Sequence, residues 1–166
     1  MFSEYNLIDS SFKFPEKMNI GSFNIIEENV SMGEDNTIKN FVEIRKGTQI
    51  GNRNLIDSKV SFSGGDFCKV GNDCILRFGV VVARNVRIKN KVFLAPGVQF
   101  IYIPFVARSG IPKITVIEDG ARIGMGSVIG DGVHIPEDTI IGALSFVRKS
   151  IDEPGVYGGN PLRRIR

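Results

Sequence analysis

The sequence predicts an all-β chain wound as a triangular prism of parallel strands, and three observations carry that prediction. Aliphatic residues return every sixth position, a second small or β-branched residue stands four places after most of them, and the two places between are rich in turn formers. A period of six fits neither the about 3.6 of a helix nor the about 2 of a plain strand, so it marks a repeat architecture.

The first series runs without a slip through Ile20, Ile26, Met32, Ile38, Ile44, Ile50, Ile56 and Phe62. A step of eight leads to Val70, Leu76, Val82, Ile88, Leu94 and Phe100, and a step of seventeen leads to Ile117, Ile123, Ile129, Ile135, Ile141 and Val147. The small residues four places on include Val30, Val42, Thr48, Cys74, Val86, Ala121, Ser127, Thr139 and Ser145. Alternation along a strand points both kinds of residue inward and the one between them outward. Doublets such as Glu28-Asn29, Asn72-Asp73, Pro96-Gly97, Asp119-Gly120, Asp131-Gly132 and Glu137-Asp138 supply the corner. Three corners close a coil, and stacked coils pair as parallel strands about 4.8 Å apart. The twenty six-step positions make between six and seven coils.

Outward residues sort onto three faces. One carries Thr37, Leu55, Ile75, Phe93, Arg122 and Ile140 and is mostly apolar; the next carries Ser31, Gln49, Lys69, Arg87, Val116 and His134 and is polar; the third mixes Ile25, Val81, Val128 and Phe146 with Glu43, Ser61 and Gln99. Apolar side chains repeated on an outer wall mark a partner surface, so a homo-oligomer is expected. Two breaks interrupt the repeat. "FSGGDFCK" from Phe62 reads as a bulged corner, and "FIYIPFVARSGIPKITV", Phe100 to Val116, must loop off the prism at about residues 101–115. The whole reads as one domain, 1–166, with repeats over about 20–150 and a short C-terminal segment, 151–166.

Composition narrows the function. Lys plus Arg number 21 against 18 Asp plus Glu, an excess that suits a small anionic ligand and not nucleic acid. No run approaches the about 18 apolar residues of a membrane span, and the N-terminus does not read as a signal peptide, so a soluble cytoplasmic protein is expected. Two cysteines make neither a disulfide framework nor a zinc site, and no metal is expected.

The units "IGMGSV", "IGDGVH" and "IGALSF" resemble the hexapeptide-repeat left-handed β-helix acyltransferases, and "PGVYGGNPLRRIR" is similar to the close of bacterial nucleotide-sugar N-acetyltransferases in that family. The left hand of the helix comes from this resemblance alone, since general rules favour right-handed crossovers. The resemblance implies a homotrimer with acyl-CoA sites, for acetyl-CoA above all, in grooves between neighbouring prisms. It places the pantetheine near Met125, Gly126, Gly142 and Ala143, where unpaired backbone N–H groups can bind carbonyls. Arg148, Lys149, Arg163 and Arg164, in a C-terminal stretch that also ends on Arg166, suit the nucleotide end.

Acyl transfer from a thioester needs a nucleophile, a proton acceptor and oxyanion stabilisation. The chain has one histidine, His134, an outward residue of the polar face and the candidate base. Relatives acting on amino sugars carry "F-T-N-D" where this chain has Phe100, Ile101, Tyr102 and Ile103, so Tyr102 or Arg108 takes over the acceptor contact. A sugar hydroxyl gains much from a base, whereas an amine is partly neutral in mild alkali, and a histidine-poor chain therefore fits an amine. Asp66 and Asp73 are the carboxylates that could take its proton, though both read as turn residues. The expected activity is N-acetylation of an amino-deoxy sugar on a nucleotide carrier, serving surface polysaccharide synthesis. The alternatives are O-acetylation with His134 as base, and a non-catalytic scaffold. Three zinc-binding histidines would be needed for a γ-type carbonic anhydrase, which the composition excludes.

Overall fold

Every six-step residue from Ile38 to Val147 lies inside the fold, most of them fully buried, and the small partners from Val30 to Ser145 line the same interior. A computed structural model describes residues 5–65, 67–101 and 113–166. Its strands are two or three residues long and form three parallel sheets, which are the three walls of a prism. The left-handed parallel β-helix expected from the resemblance is the fold.

In chain order the first wall stacks Leu7–Ile8, Ile25–Ile26, Glu43–Ile44, Ser61–Phe62, Val81–Val82, Gln99–Phe100, Val128–Ile129 and Phe146–Val147. The second stacks Ser31–Met32, Gln49–Ile50, Lys69–Val70, Val86–Ile88, Thr115–Ile117 and His134–Ile135. The third holds Met18–Ile20, Asn36–Ile38, Leu55–Ile56, Ile75–Leu76, Phe93–Leu94, Arg122–Ile123 and Ile140–Ile141. These are the three faces read from the sequence. The phase assumed across the seventeen-residue step holds, since Phe93 pairs with Arg122 and Gln99 with Val128. Ile75 and Ile140, on the apolar third wall, remain about two-fifths exposed in the single chain.

The second residue of each turn doublet adopts the left-handed conformation the sequence reading asked of it. Asn29, Asp73 and Asp138 have φ of 56°, 59° and 52°, and Gly97, Gly120 and Gly132 have 71°, 73° and 68°. Larger residues do the same at other corners, including Phe23, Phe41, Lys59 and Leu144. Each costs about 1–2 kcal/mol. A ladder of corner hydrogen bonds offsets that strain, for instance Phe41 N–H to Ser22 O at 3.1 Å and Leu144 N–H to Met125 O at 2.8 Å.

One expectation changes. The prism begins before Ile20, because Leu7–Ile8 pairs with Ile25–Ile26 and Met18–Ile20 with Asn36–Ile38, which brings the first wall to eight strands in place of six to seven coils. The C-terminal segment joins the prism as well. Val156–Gly158 adds to the third wall beside Ile140–Ile141, and Arg163–Arg164 folds back antiparallel on it. Both breaks are absorbed at one edge, between the first and second walls. Gly64 and Gly65, at φ of 76° and 98°, carry the bulge so that Lys69 still pairs with Gln49.

Candidate functional site

The edge between the third and first walls carries the corners Pro96-Gly97, Met125-Gly126 and Ala143-Leu144, stacked one above another. The Gly126 N–H donates to Pro96 O at 3.0 Å, and the Leu144 N–H to Met125 O. Gly126 has φ of 66°, and a Cβ there would stand 2.9 Å from Leu144 Cδ2, so only glycine fits without displacement. Gly142 lies under the C-terminal strand and its N–H donates to Tyr157 O at 2.7 Å. The amides of Gly126 and Gly142 are therefore spent inside the fold, which corrects the expectation that they are open to a ligand. Met125 and Ala143 differ: among the described residues their N–H groups have no partner. Met125 and Leu144 are also exposed, at 56% and 77%.

From this edge a depression of about 340 Å³ crosses the first wall, lined by Ile101, Gly126, Val128, Leu144, Phe146 and Asn160 among others. Phe146 and Asn160 also line a larger one of about 790 Å³, bordered by Arg148, Lys149, Tyr157 and Arg164. The two adjoin and make one groove, apolar at the edge and basic at the end of the prism. Arg148 and Lys149 are exposed and form no ion pair among the described residues. Arg164 lines the groove but meets Glu153 Oε2 at 2.8 Å. Arg163 does not line it, since alternation in the hairpin sends neighbouring side chains to opposite sides.

His134 is exposed on the second wall, its Nε2 3.3 Å from Glu118 Oε1. It is not a lining residue, yet its N–H donates to Ser150 Oγ at 3.0 Å and its carbonyl accepts from the Ile151 N–H at 3.0 Å. Ser150 and Ile151 line the larger depression, so His134 stands just around the corner from the basic end. Asp73 is unsuited to accept a proton. Hydrogen bonds from the Arg53 guanidinium, at 2.7 and 2.9 Å, hold its carboxyl below the usual carboxylate range. Tyr102, Arg108 and Asp66 lie outside the described residues.

One titratable group, which lines neither depression, escaped the sequence reading. Asp131 sits at the edge between the first and second walls, beside the return of the inserted loop, where Thr115 Oγ1 accepts from the Gly132 N–H at 2.9 Å. Burial pushes its carboxyl up, with Lys113 pulling the other way. The sequence showed it only as a turn former in an Asp-Gly doublet. Both cysteines are buried, and burial pushes their thiols up to about 11, which does not favour a covalent thioester on either. Among the described residues, no helix is long and apolar enough to cross a membrane, and no group of three or more metal-ligating side chains is assembled.

Residues 114–149 match the family described as bacterial transferase hexapeptide (six repeats). A protein of Schizosaccharomyces pombe provisionally named an acetyltransferase is 36% identical over 90 residues, 49% of this chain and 42% of that protein, so the match spans under half the relative's length. Among solved structures, a hexapeptide-repeat acetyltransferase of Vibrio cholerae complexed with acetyl-CoA is 25% identical, covering 69% of this chain and 67% of that one at a TM-score of 0.58. Two others share the fold. The polysialic acid O-acetyltransferase OatWY is 17% identical with a TM-score of 0.64 over 98% of this chain and 84% of that one. PerB of Caulobacter crescentus, in complex with CoA and GDP-perosamine, is 20% identical with a TM-score of 0.53 over 99% and 59%.

Proposed function

We propose that this hexapeptide-repeat prism is an acyl-CoA-dependent acyltransferase whose donor lies in the first-wall groove. The observation that carries the reading is the continuity of that groove, from its apolar edge, where the lining residues Gly126 and Leu144 adjoin Met125 and Ala143, whose N–H groups have no partner among the described residues, to the cations Arg148 and Lys149 at its basic end. A pantetheine arm presents amide carbonyls to the Met125 and Ala143 N–H groups, and a phosphorylated nucleotide end meets Arg148 and Lys149. The resemblance to nucleotide-sugar N-acetyltransferases and the GDP-perosamine bound by PerB support an amino-deoxy sugar on a nucleotide carrier as acceptor. The acyl group is then acetyl, the product enters surface polysaccharide, and the enzyme works in the cytoplasm as a homotrimer with each groove closed by a neighbour.

In the transfer, the neutral amine attacks the thioester carbonyl, a C–N bond forms and the C–S bond breaks. The amine's proton passes to water or to a carboxylate, a task for which Asp73, held low by Arg53, is unsuited. The thiolate leaves and takes up a proton. Holding both reactants in one groove supplies the rest of the rate.

A second reading, O-acetylation of a sugar hydroxyl, is favoured by one observation: the Glu118 carboxylate beside His134 Nε2 orients the imidazole as a base. Calorimetry with CoA and a mass-spectrometric screen of amino-sugar nucleotides with acetyl-CoA test the proposal. CoA binding that falls about tenfold in an Arg148→Gln, Lys149→Gln double variant, about 1.4 kcal/mol, and full amine acetylation by His134→Ala are the expected results. Absence of CoA binding would overturn the enzyme reading, and loss of all transfer in His134→Ala would favour the hydroxyl acceptor.

A further inference from the structure

The second wall carries a group of charges that the transfer chemistry leaves unused. Lys69 and Arg87 are register partners on adjacent parallel strands, both facing outward about 4.8 Å apart. Like charges placed directly opposite each other destabilise a sheet. Lys89, two residues beyond Arg87 on the same side, adds a third. Among the described residues none of the three forms an ion pair. The carboxylate nearest in register is Glu118, opposite Lys89, and it is turned to His134 Nε2.

Several arginines elsewhere in the chain do meet carboxylates. Arg45 meets Glu43 at 2.6 Å, Arg53 meets Asp73 at 2.7 Å and Arg77 meets Asp57 at 3.5 Å. The unanswered group lies in a depression of about 560 Å³, which Ser31, Gln49 and Asn90 also line with neutral polar groups. Within it the Arg87 side chain is held. Its guanidinium stands 5.6 Å from the centre of the Phe67 ring, and its buried Nε has no partner. Phe67 belongs to the Gly64-Gly65 bulge, so the break in the repeat has a use: it carries an aromatic ring to the one arginine of the cluster.

We propose that Lys69, Arg87 and Lys89 form an oxyanion site for a phosphate or diphosphate group on a small acceptor. A positioned guanidinium fork with one ammonium across the strand and a second beyond it along the strand matches two linked phosphoryl groups. His134 lies two strands further along the same wall, about 10 Å from Arg87 at the strand spacing. A diphosphate anchored at Arg87 therefore lets the sugar it carries reach toward the second-wall side of the donor groove. The inference deepens the functional reading by giving the acceptor's charged half a place, and rests on that reading only for what the anion is attached to.

The test is calorimetric titration of the full-length chain with inorganic pyrophosphate. An Arg148→Gln, Lys149→Gln background removes the other basic site. The expected result is saturable binding that weakens at least tenfold on adding Arg87→Gln, and likewise on adding Lys69→Gln with Lys89→Gln. Arg122→Gln, on the third wall, should leave it unchanged. Lys69→Gln should melt no lower than its parent, because it removes a like-charge neighbour, and so lost binding is not lost folding. Equal affinity in the Arg87→Gln and Arg122→Gln variants, no pyrophosphate binding at all, or binding of an oligogalacturonate chain in its place would each overturn the site. The two claims separate cleanly. Arg87-dependent pyrophosphate binding without CoA binding upholds the site and removes the acyltransferase reading; CoA binding with Arg87-independent pyrophosphate does the reverse.

Discussion

The early and the later coils build the same corner in opposite ways. At the edge between the third and first walls, the Ser22 N–H is met by Asn40 Oδ1 at 2.8 Å, that of Asn40 by Ser58 Oγ at 3.3 Å, and that of Ser58 by Asp57 Oδ1 at 2.8 Å. Aromatic rings cover this part of the edge, with Phe23 stacked on Phe41 and on Tyr5 at 5.1 Å each. Further along, Pro96 has no N–H to satisfy, and Met125 and Ala143 leave theirs unanswered. The next edge continues the early pattern for longer, from Glu34 through Asn52 and Asn72 to Asn90, each N–H capped from the following coil at 2.7 to 2.9 Å, the last of them by Asp119. An edge that caps its own amides is finished as structure. One that leaves them open, beside a groove with unpaired cations, has donors to spare for a ligand.

The interior shows the same division. Asn54 Oδ1 accepts from the buried Cys74 N–H at 2.8 Å and its Nδ2 donates to Gly71 O at 2.9 Å. In later coils serine replaces asparagine, with Ser127 Oγ accepting from the Ser145 N–H and Ser145 Oγ from the Gly159 N–H. The largest effect should come from breaking the early ladder. Asn54→Val strands a buried donor and a buried acceptor, and should cost about 3 kcal/mol in urea denaturation with CoA affinity untouched. A loss under about 1 kcal/mol would show that the asparagines do not hold the coils together.

A matched pair of glycines sharpens the contrast. Gly79 and Gly126 occupy equivalent corners of one edge at φ of 69° and 66°. Valine at either should cost about 1–2 kcal/mol of stability. Gly126→Val should also weaken CoA about tenfold, whereas Gly79→Val should leave CoA binding alone. Equal binding by the two variants would detach the groove from the donor.

The smallest effect at neutral pH belongs to the thiols, which lie in the early coils. Cys68 and Cys74 are raised by burial from 9.0 to about 11, so the folded state holds their protons more tightly than the unfolded chain. Their contribution is complete below pH 9 and is lost as pH rises through about 11. Chemical denaturation followed from pH 8 to 11 should show this decline in the parent and less of it in Cys68→Val; identical slopes would mean the thiol titrates freely in the fold.

Much of the prism was legible because each six-residue unit repeats one steric demand: a branched side chain inward, a small one near the corner, and a residue tolerant of positive φ between. The start of the prism was missed because the six-step breaks down there: the backward step from Ile20 falls on Phe14, which is exposed, while Phe12 enters the core. The basic end of the groove was legible as charge. Its assembly was not, because Arg148, Lys149 and Arg164 share it while Arg163 does not, a choice made by hairpin register. Asp131 could not be distinguished from any other aspartate before glycine, because the partial desolvation that raises its carboxyl comes from the folded surroundings and not from its neighbours in sequence.

The sequence by itself determined the walls, the core and which residues face out, because those follow from a local period. Only the tertiary structure decided which backbone groups are spent. Most of the caps come from the residue the next coil brings above, which is 18 positions away for Asn40 on Ser22, 20 for Asn72 on Asn52 and 29 for Asp119 on Asn90. The bulge and the inserted loop change that separation for Asn52 and Asn90, whereas Met125 keeps the ordinary 18 positions to Ala143, whose methyl side chain offers no acceptor, so its amide stays open.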